Sequence, residues 1–138
     1  MIDKIKQHIE EAKAFNEKNK ESLEQFQSAL EALPDGVIFM DAHRRILWMN
    51  SLAVAMMGLI PGQDQGKPIE HLVREPEFAN YLLKGDFTEP LMYHPNRRDQ
   101  ACYMISLISY GIDRSLLAIR DLTRLEKLEN VRRDFVAN

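Results

Sequence analysis

Cysteine, long apolar runs and excess charge are all scarce in this 138-residue chain, and each shortage removes a class of protein. The single cysteine, Cys102, rules out an intrachain disulfide and suits a reducing, cytosolic setting. The longest apolar run, residues 52–60, is about half of the roughly 18–20 residues that a bilayer-crossing helix needs, and Gly58 interrupts it. The polar, charged N-terminus does not read as a signal peptide. A net charge of −3 argues against a surface made for nucleic-acid phosphates, so no nucleic-acid partner is expected. His8, His43, His71 and His94 share no ligand spacing with one another or with Cys102, so neither a structural metal nor a cofactor is expected. No nucleophile, acid–base pair or phosphate loop stands out, and the fragment is not expected to be an enzyme.

With 45% hydrophobic and 28% charged residues, what is present is ordinary globular protein with a sizeable core. Residues 1–33 carry a strict heptad. Ile2, Ile5, Ile9, Ala12, Asn16, Asn19, Leu23, Phe26, Leu30 and Leu33 alternate spacings of three and four. At 1.5 Å per residue such a helix runs about 50 Å, too long to lie on one small domain. The narrow seam predicts a two-stranded coiled coil with Asn16 and Asn19 setting its register, and with Phe15 off the seam and exposed.

Pro34-Asp35-Gly36 predicts a turn, followed by a short apolar strand over 37–40, a polar hairpin loop at 41–44 and a return strand over 45–49. Asn50 is placed to cap a helix over 51–57 that Gly58 ends. Residues 59–68 read as a loop, 69–73 as a short helical segment, and 76–84 as a helix opened by Pro76 and closed by Gly85, burying Phe78, Tyr81 and Leu82. Pro90 confines the strand over 87–94 to a sheet edge or a bulge. A turn at 95–99, a long strand over 101–110, a turn and a strand over 115–120 follow. From residue 124 a charged amphipathic helix runs to the C-terminus, with Leu128, Val131, Phe135 and Asn138 along its seam. Five short strands with helices inserted as a block predict an α+β domain, one antiparallel sheet with helices on one face.

This order resembles a PAS domain flanked by N- and C-terminal coiled-coil helices. Leu33-Pro34-Asp35-Gly36-Val37, Trp48-Met49-Asn50, Pro76-Glu77-Phe78, Ile119-Arg120-Asp121-Leu122-Thr123 and Arg132-Arg133-Asp134-Phe135-Val136-Ala137-Asn138 resemble the cytoplasmic region of the PhoR family of phosphate-regulon sensor histidine kinases. The resemblance spans about residues 23–138. It implies a dimerisation and signalling helix at 1–33, a PAS domain at 34–121, and an output helix at 122–138. In that family the Phe-x-Ala-Asn stretch leads into the box holding the phosphorylated histidine. No His-Glu-x-x-x-Pro sequence and no ATP-binding stretch occur here, so the resemblance is to the sensory and linker part alone. It implies a parent kinase that autophosphorylates from ATP and serves a response regulator, in the cytoplasmic portion of a bacterial inner-membrane protein. It also implies a homodimer and a signal received by protein contact with the phosphate transporter and its accessory regulator. The alternative is a ligand- or cofactor-binding PAS sensor ahead of another output module.

The strongest site candidates are the signal-relay residues Arg120, Asp121, Leu122 and Thr123. A carboxylate and a hydroxyl bracketing a strand-to-helix break accept the unpaired amide hydrogens of the helix's first turn. In the PAS domains this chain resembles, the joint couples the sheet to the output helix, the aspartate often pairing with a basic residue; Leu122 stands where isoleucine or valine is commoner. The dimer seam is expected at Leu23, Phe26, Leu30, Leu33, Leu128, Val131 and Phe135. Phe39, Trp48, Tyr81, Tyr103 and Met104 are candidates to line a pocket between sheet and helices, though the same residues suffice as a plain core. His71 has the arginine and proline spacing of a phosphoacceptor box but lacks the acid that follows the histidine, so it is not expected to be phosphorylated.

Overall fold

The computed structural model describes residues 2–95 and 100–137, except for the side chains of residues 2, 12, 13, 15, 16, 18 and 137. Most of the turn expected at 95–99, Asn138, and the side chains of Ile2, Ala12, Phe15 and Asn16 lie outside the described residues. The chain divides into two compact units, Met1–Leu33 and Pro34–Asn138.

The first unit is one helix, α1 (Ile2–Glu31), about 45 Å long at 1.5 Å per residue. Ile5, Ile9, Leu23 and Phe26 are each about half exposed, between 49% and 55%. Leu33, expected on the helix, lies beyond it. The Ala32 and Leu33 amides close onto carbonyls three and four residues back, and Pro34 disfavours the helical conformation in its predecessor.

In the second unit, β1 (Gly36–Met40) and β2 (Ile46–Met49) form a hairpin. The Asp41 carboxylate accepts the His43 and Arg45 amides at 2.8 and 2.9 Å and so folds the connecting loop. Helix α2 (Ser51–Met57) runs between a capping Asn50 and a left-handed Gly58, as those residues predict. A helical turn, α3 (Pro61–Asp64), replaces the expected loop. Pro61 supplies a preset first helical residue, and the nearly buried Asp64 carboxylate reaches back to the Ile60 amide at 2.7 Å. Then come α4 (Ile69–Leu72) and α5 (Pro76–Lys84), the latter burying Phe78, Tyr81 and Leu82.

Strand β3 covers only Leu91–Tyr93, shorter than expected, because Pro90 has no amide to give and the Asp86 carboxylate turns the chain by binding the Thr88 amide and hydroxyl. β4 (Tyr103–Tyr110) and β5 (Arg114–Asp121) pair along their whole length, and α6 (Thr123–Ala137) follows. The sheet is antiparallel throughout in the order β2-β1-β5-β4-β3, which leaves β3 at the edge. Its inner face carries Ile38, Met40, Ile46, Met49, Ile105, Leu107, Leu117 and Ile119, packed with Ala53, Met56, Ile69, Phe78 and Leu82 from the helices. Gly36 allows the closest approach. A Cβ there would meet Ala53 Cα at 3.0 Å and Met56 Sδ at 3.2 Å.

Candidate functional site

The residues expected to form the relay meet where β5 becomes α6. Asp121 ends the strand opposite Tyr103. Its carboxylate accepts the Thr123 amide at 2.9 Å, meeting one of the first-turn donors that a helix start leaves unpaired. Thr123 acts differently from the expected cap. Its hydroxyl accepts the Cys102 amide at 3.0 Å, across to the residue just before β4. Leu122 completes the crossing, donating its amide to the Cys102 carbonyl at 2.8 Å, while its own carbonyl receives the first intrahelical bond from Glu126 at 2.9 Å. Helix α6 is thus stapled to the sheet through both backbone groups of Cys102.

Arg120 faces the other way. Among the described residues the joint's ion pair is made by Arg120 and not by Asp121: the guanidinium grips both oxygens of Asp35 at 3.2 Å, a fork that holds Arg120 more firmly protonated. Asp35 is tied in turn to Asn50, whose Nδ2 donates to the Asp35 carbonyl at 3.0 Å. The buried Asn50 Oδ1 accepts the Val37 and Ala53 amides at 2.9 and 3.0 Å. One residue therefore caps α2, fixes the start of β1 and holds the partner of Arg120. Neither Asp35 nor Asn50 stood out as a site residue in the sequence. The weak signal was an acidic turn and a capping asparagine, and only the adjacency of β1 and β5 joins them to the joint.

A second group gathers beside it. His94 Nε2 lies 3.2 Å from a Glu126 carboxylate oxygen, and the buried Cys102 thiol lies within 4.8 Å of both. Burial, then Glu126, pushes the Cys102 thiol up to about 12, while bonds from Cys102 and His94 hold the Glu126 carboxyl below its ordinary value. Burial and the nearby Glu75 and Glu77 likewise raise the Tyr93 hydroxyl to about 12. Two hollows flank α6 here, of about 1030 Å³ and about 510 Å³.

The five candidate pocket residues are not brought together. Phe39, Trp48 and Met104 lie on the outer face of the sheet: the Phe39 ring stands 5.9 Å from Trp48 and 5.7 Å from Tyr110, and Met104 sits opposite Arg120. Tyr103 packs against the core on the inner face. So does Tyr81, whose hydroxyl accepts the Leu107 amide at 3.1 Å, beyond the end of the short β3. Side chains directly opposite in an antiparallel pair share a face, and alternation sends Phe39 away from Ile38 and Met40. His71 is exposed on α4, away from the joint. Of the seam residues, Leu128, Val131 and Phe135 are exposed along α6, Phe135 by 83%.

Strand order, the inserted helices and the joint define a PAS domain, and the PAS fold family model matches residues 24–97: the chain belongs to that family. The PAS domain of Bordetella pertussis BvgS superposes with a TM-score of 0.53 at 17% identity, covering 88% of this chain and 97% of that one. The photoactive yellow protein domain of the sensor histidine kinase Ppr from Rhodospirillum centenum superposes at 0.51 and 21% identity, covering 68% and 91%. More particularly, the chain is 34% identical over 116 residues to the phosphate regulon sensor protein PhoR of Pseudomonas aeruginosa. That match takes in 84% of this chain, which spans 26% of the length of the curated relative.

Proposed function

We propose that this chain is the sensory PAS module of a two-component sensor histidine kinase that controls the phosphate-starvation response, with the joint at Arg120, Asp121, Leu122 and Thr123 as its relay. The observation that carries this reading is the 34% identity to a phosphate regulon sensor, against 17–21% for chains that share the fold. The parent protein supplies what lies outside this chain. It autophosphorylates a histidine from ATP, passes the phosphoryl group to a response regulator, and is anchored in the bacterial inner membrane with this module on the cytoplasmic side. Among the described residues, no helix is long and apolar enough to cross a membrane.

The module receives its signal by contact with the phosphate transporter and its accessory regulator and works as a homodimer. Exposed apolar residues at helical spacing on α1 (Leu23, Phe26) and on α6 (Leu128, Val131, Phe135) support the dimer. Transmission follows from the bonding at the joint. A change in the sheet's register or twist at β4 and β5 acts directly on Cys102, and the Cys102 bonds to Leu122 and Thr123 carry it to the first turn of α6. In the full-length protein, ATP is expected to label a histidine beyond Asn138, and Asp121→Ala and Thr123→Ala to change the yield of that label. Absence of phosphohistidine would refute the kinase assignment, and unchanged labelling in both variants would refute the relay.

A further inference from the structure

Three residues without a common spacing in the sequence meet at one point of the fold. His94 at the end of β3, Cys102 before β4 and Glu126 in the first turn of α6 each offer one ligand atom, and these atoms lie within 4.8 Å of one another. We propose that His94 Nε2, the Cys102 thiolate and the Glu126 carboxylate bind a thiophilic divalent metal ion of the zinc class, with water as the fourth ligand.

The distances fit. Nitrogen and oxygen ligands at 2.0–2.2 Å on a tetrahedral ion stand about 3.4 Å apart. His94 Nε2 is 3.2 and 3.3 Å from the two Glu126 oxygens. A surface ion pair would explain His94 and Glu126, but it gives no reason for a buried thiol to lie within 4.8 Å of both. The set of one sulfur, one imidazole and one carboxylate suits zinc or cobalt better than magnesium or calcium, which prefer oxygen alone. On binding, the ion takes the place of the thiol proton, which leaves to solvent, so one proton is released per metal bound.

The ligands are held in advance. The His94 amide donates to Glu77 at 2.8 Å, Cys102 is fixed through both its backbone groups by Thr123 and Leu122, and the Glu126 amide is bonded to Leu122. The hollow of about 1030 Å³ reaches both His94 and Glu126, and its walls carry Glu75, Glu77, Glu126 and Asp134 against Lys127 and Arg133, an excess of carboxylate that favours entry of a cation. A bound ion would tie β3, β4 and α6 together beside the joint. The site stands on its own ligands and is independent of the kinase reading.

The test is a Co²⁺ titration of the chelator-treated chain, followed by absorption. Cys102 is the sole cysteine, so a thiolate-to-cobalt charge-transfer band can arise only there. The account expects one equivalent of Co²⁺ to produce the band, Zn²⁺ to abolish it by displacement, and Cys102→Ser to lack it. Loss of an outer-shell partner typically costs about 10–100-fold in metal affinity, so loss of a ligand in His94→Ala or Glu126→Gln should cost at least that. His94→Ala changes an exposed side chain, and its unaltered circular dichroism would certify the fold. The proposal is overturned if the folded wild type gives no band, or if His94→Ala and Glu126→Gln bind Co²⁺ as tightly as wild type.

Discussion

Replacing Thr123 by valine removes one oxygen and keeps the shape of the side chain. That oxygen is the acceptor for the Cys102 amide at 3.0 Å, so the variant leaves a partly buried N–H with no partner. Such a loss costs about 1–3 kcal/mol. The cap at the helix start survives, because Asp121 binds the backbone amide of residue 123, which valine retains. At about 4 °C per kcal/mol for a domain of this size, the melting temperature should fall by about 4–12 °C. Thermal and urea unfolding followed by circular dichroism read this directly, and exchange of the Cys102 amide should quicken in parallel. Thr123→Ser keeps the hydroxyl and gives up one methyl group, about 0.8 kcal/mol at most. A Thr123→Val protein melting like wild type, or a Thr123→Ser protein melting as low as Thr123→Val, would show that the hydroxyl does not staple helix to sheet.

Asn50→Ala strips the acceptor from two buried amides, Val37 and Ala53, and should cost about 2–6 kcal/mol in urea unfolding; a loss under about 1 kcal/mol would contradict the network. Gly36→Ala drives a methyl against the backbone of Ala53 and the sulfur of Met56, for an overpacking cost of about 1–3 kcal/mol measured the same way. Cys102 gives a pH signature in chelator-treated protein. Burial pushes its pKa from an ordinary value of 9.0 up to about 12, so the stability it contributes is whole below pH 9 and is lost as pH rises towards 12. Iodoacetamide should accordingly label Cys102 near pH 8 only after unfolding, and rapid labelling of the folded chain would refute that environment.

What was legible in the sequence was local. Asn50 and Gly58 bound α2, and Pro76 and Gly85 bound α5, because caps act within a few residues of themselves. The edge position of β3 followed from Pro90, and the cap by Asp121 from a carboxylate at a strand-to-helix break. What depended on distant pairing was not legible. Arg120 and Asp35 are 85 positions apart and meet only because β5 lies beside β1. His94, Cys102 and Glu126 come from three different elements, so no spacing rule could find them. Phe39, Trp48 and Met104 were placed on the wrong face of the sheet for a related reason. In Gly36–Met40 the strand is apolar on both faces, so alternation is invisible and Phe39 could not be told from its inward neighbours.

The most direct test of the proposed relay is autophosphorylation of the full-length protein carrying Thr123→Val. If the Cys102–Thr123 bond exists in only one of two signalling states, a cost of about 1–3 kcal/mol moves their ratio by about 5–150-fold. The account predicts that Thr123→Val changes basal autophosphorylation several-fold while Thr123→Ser stays near wild type. Basal and stimulated activities equal to wild type in Thr123→Val would contradict it.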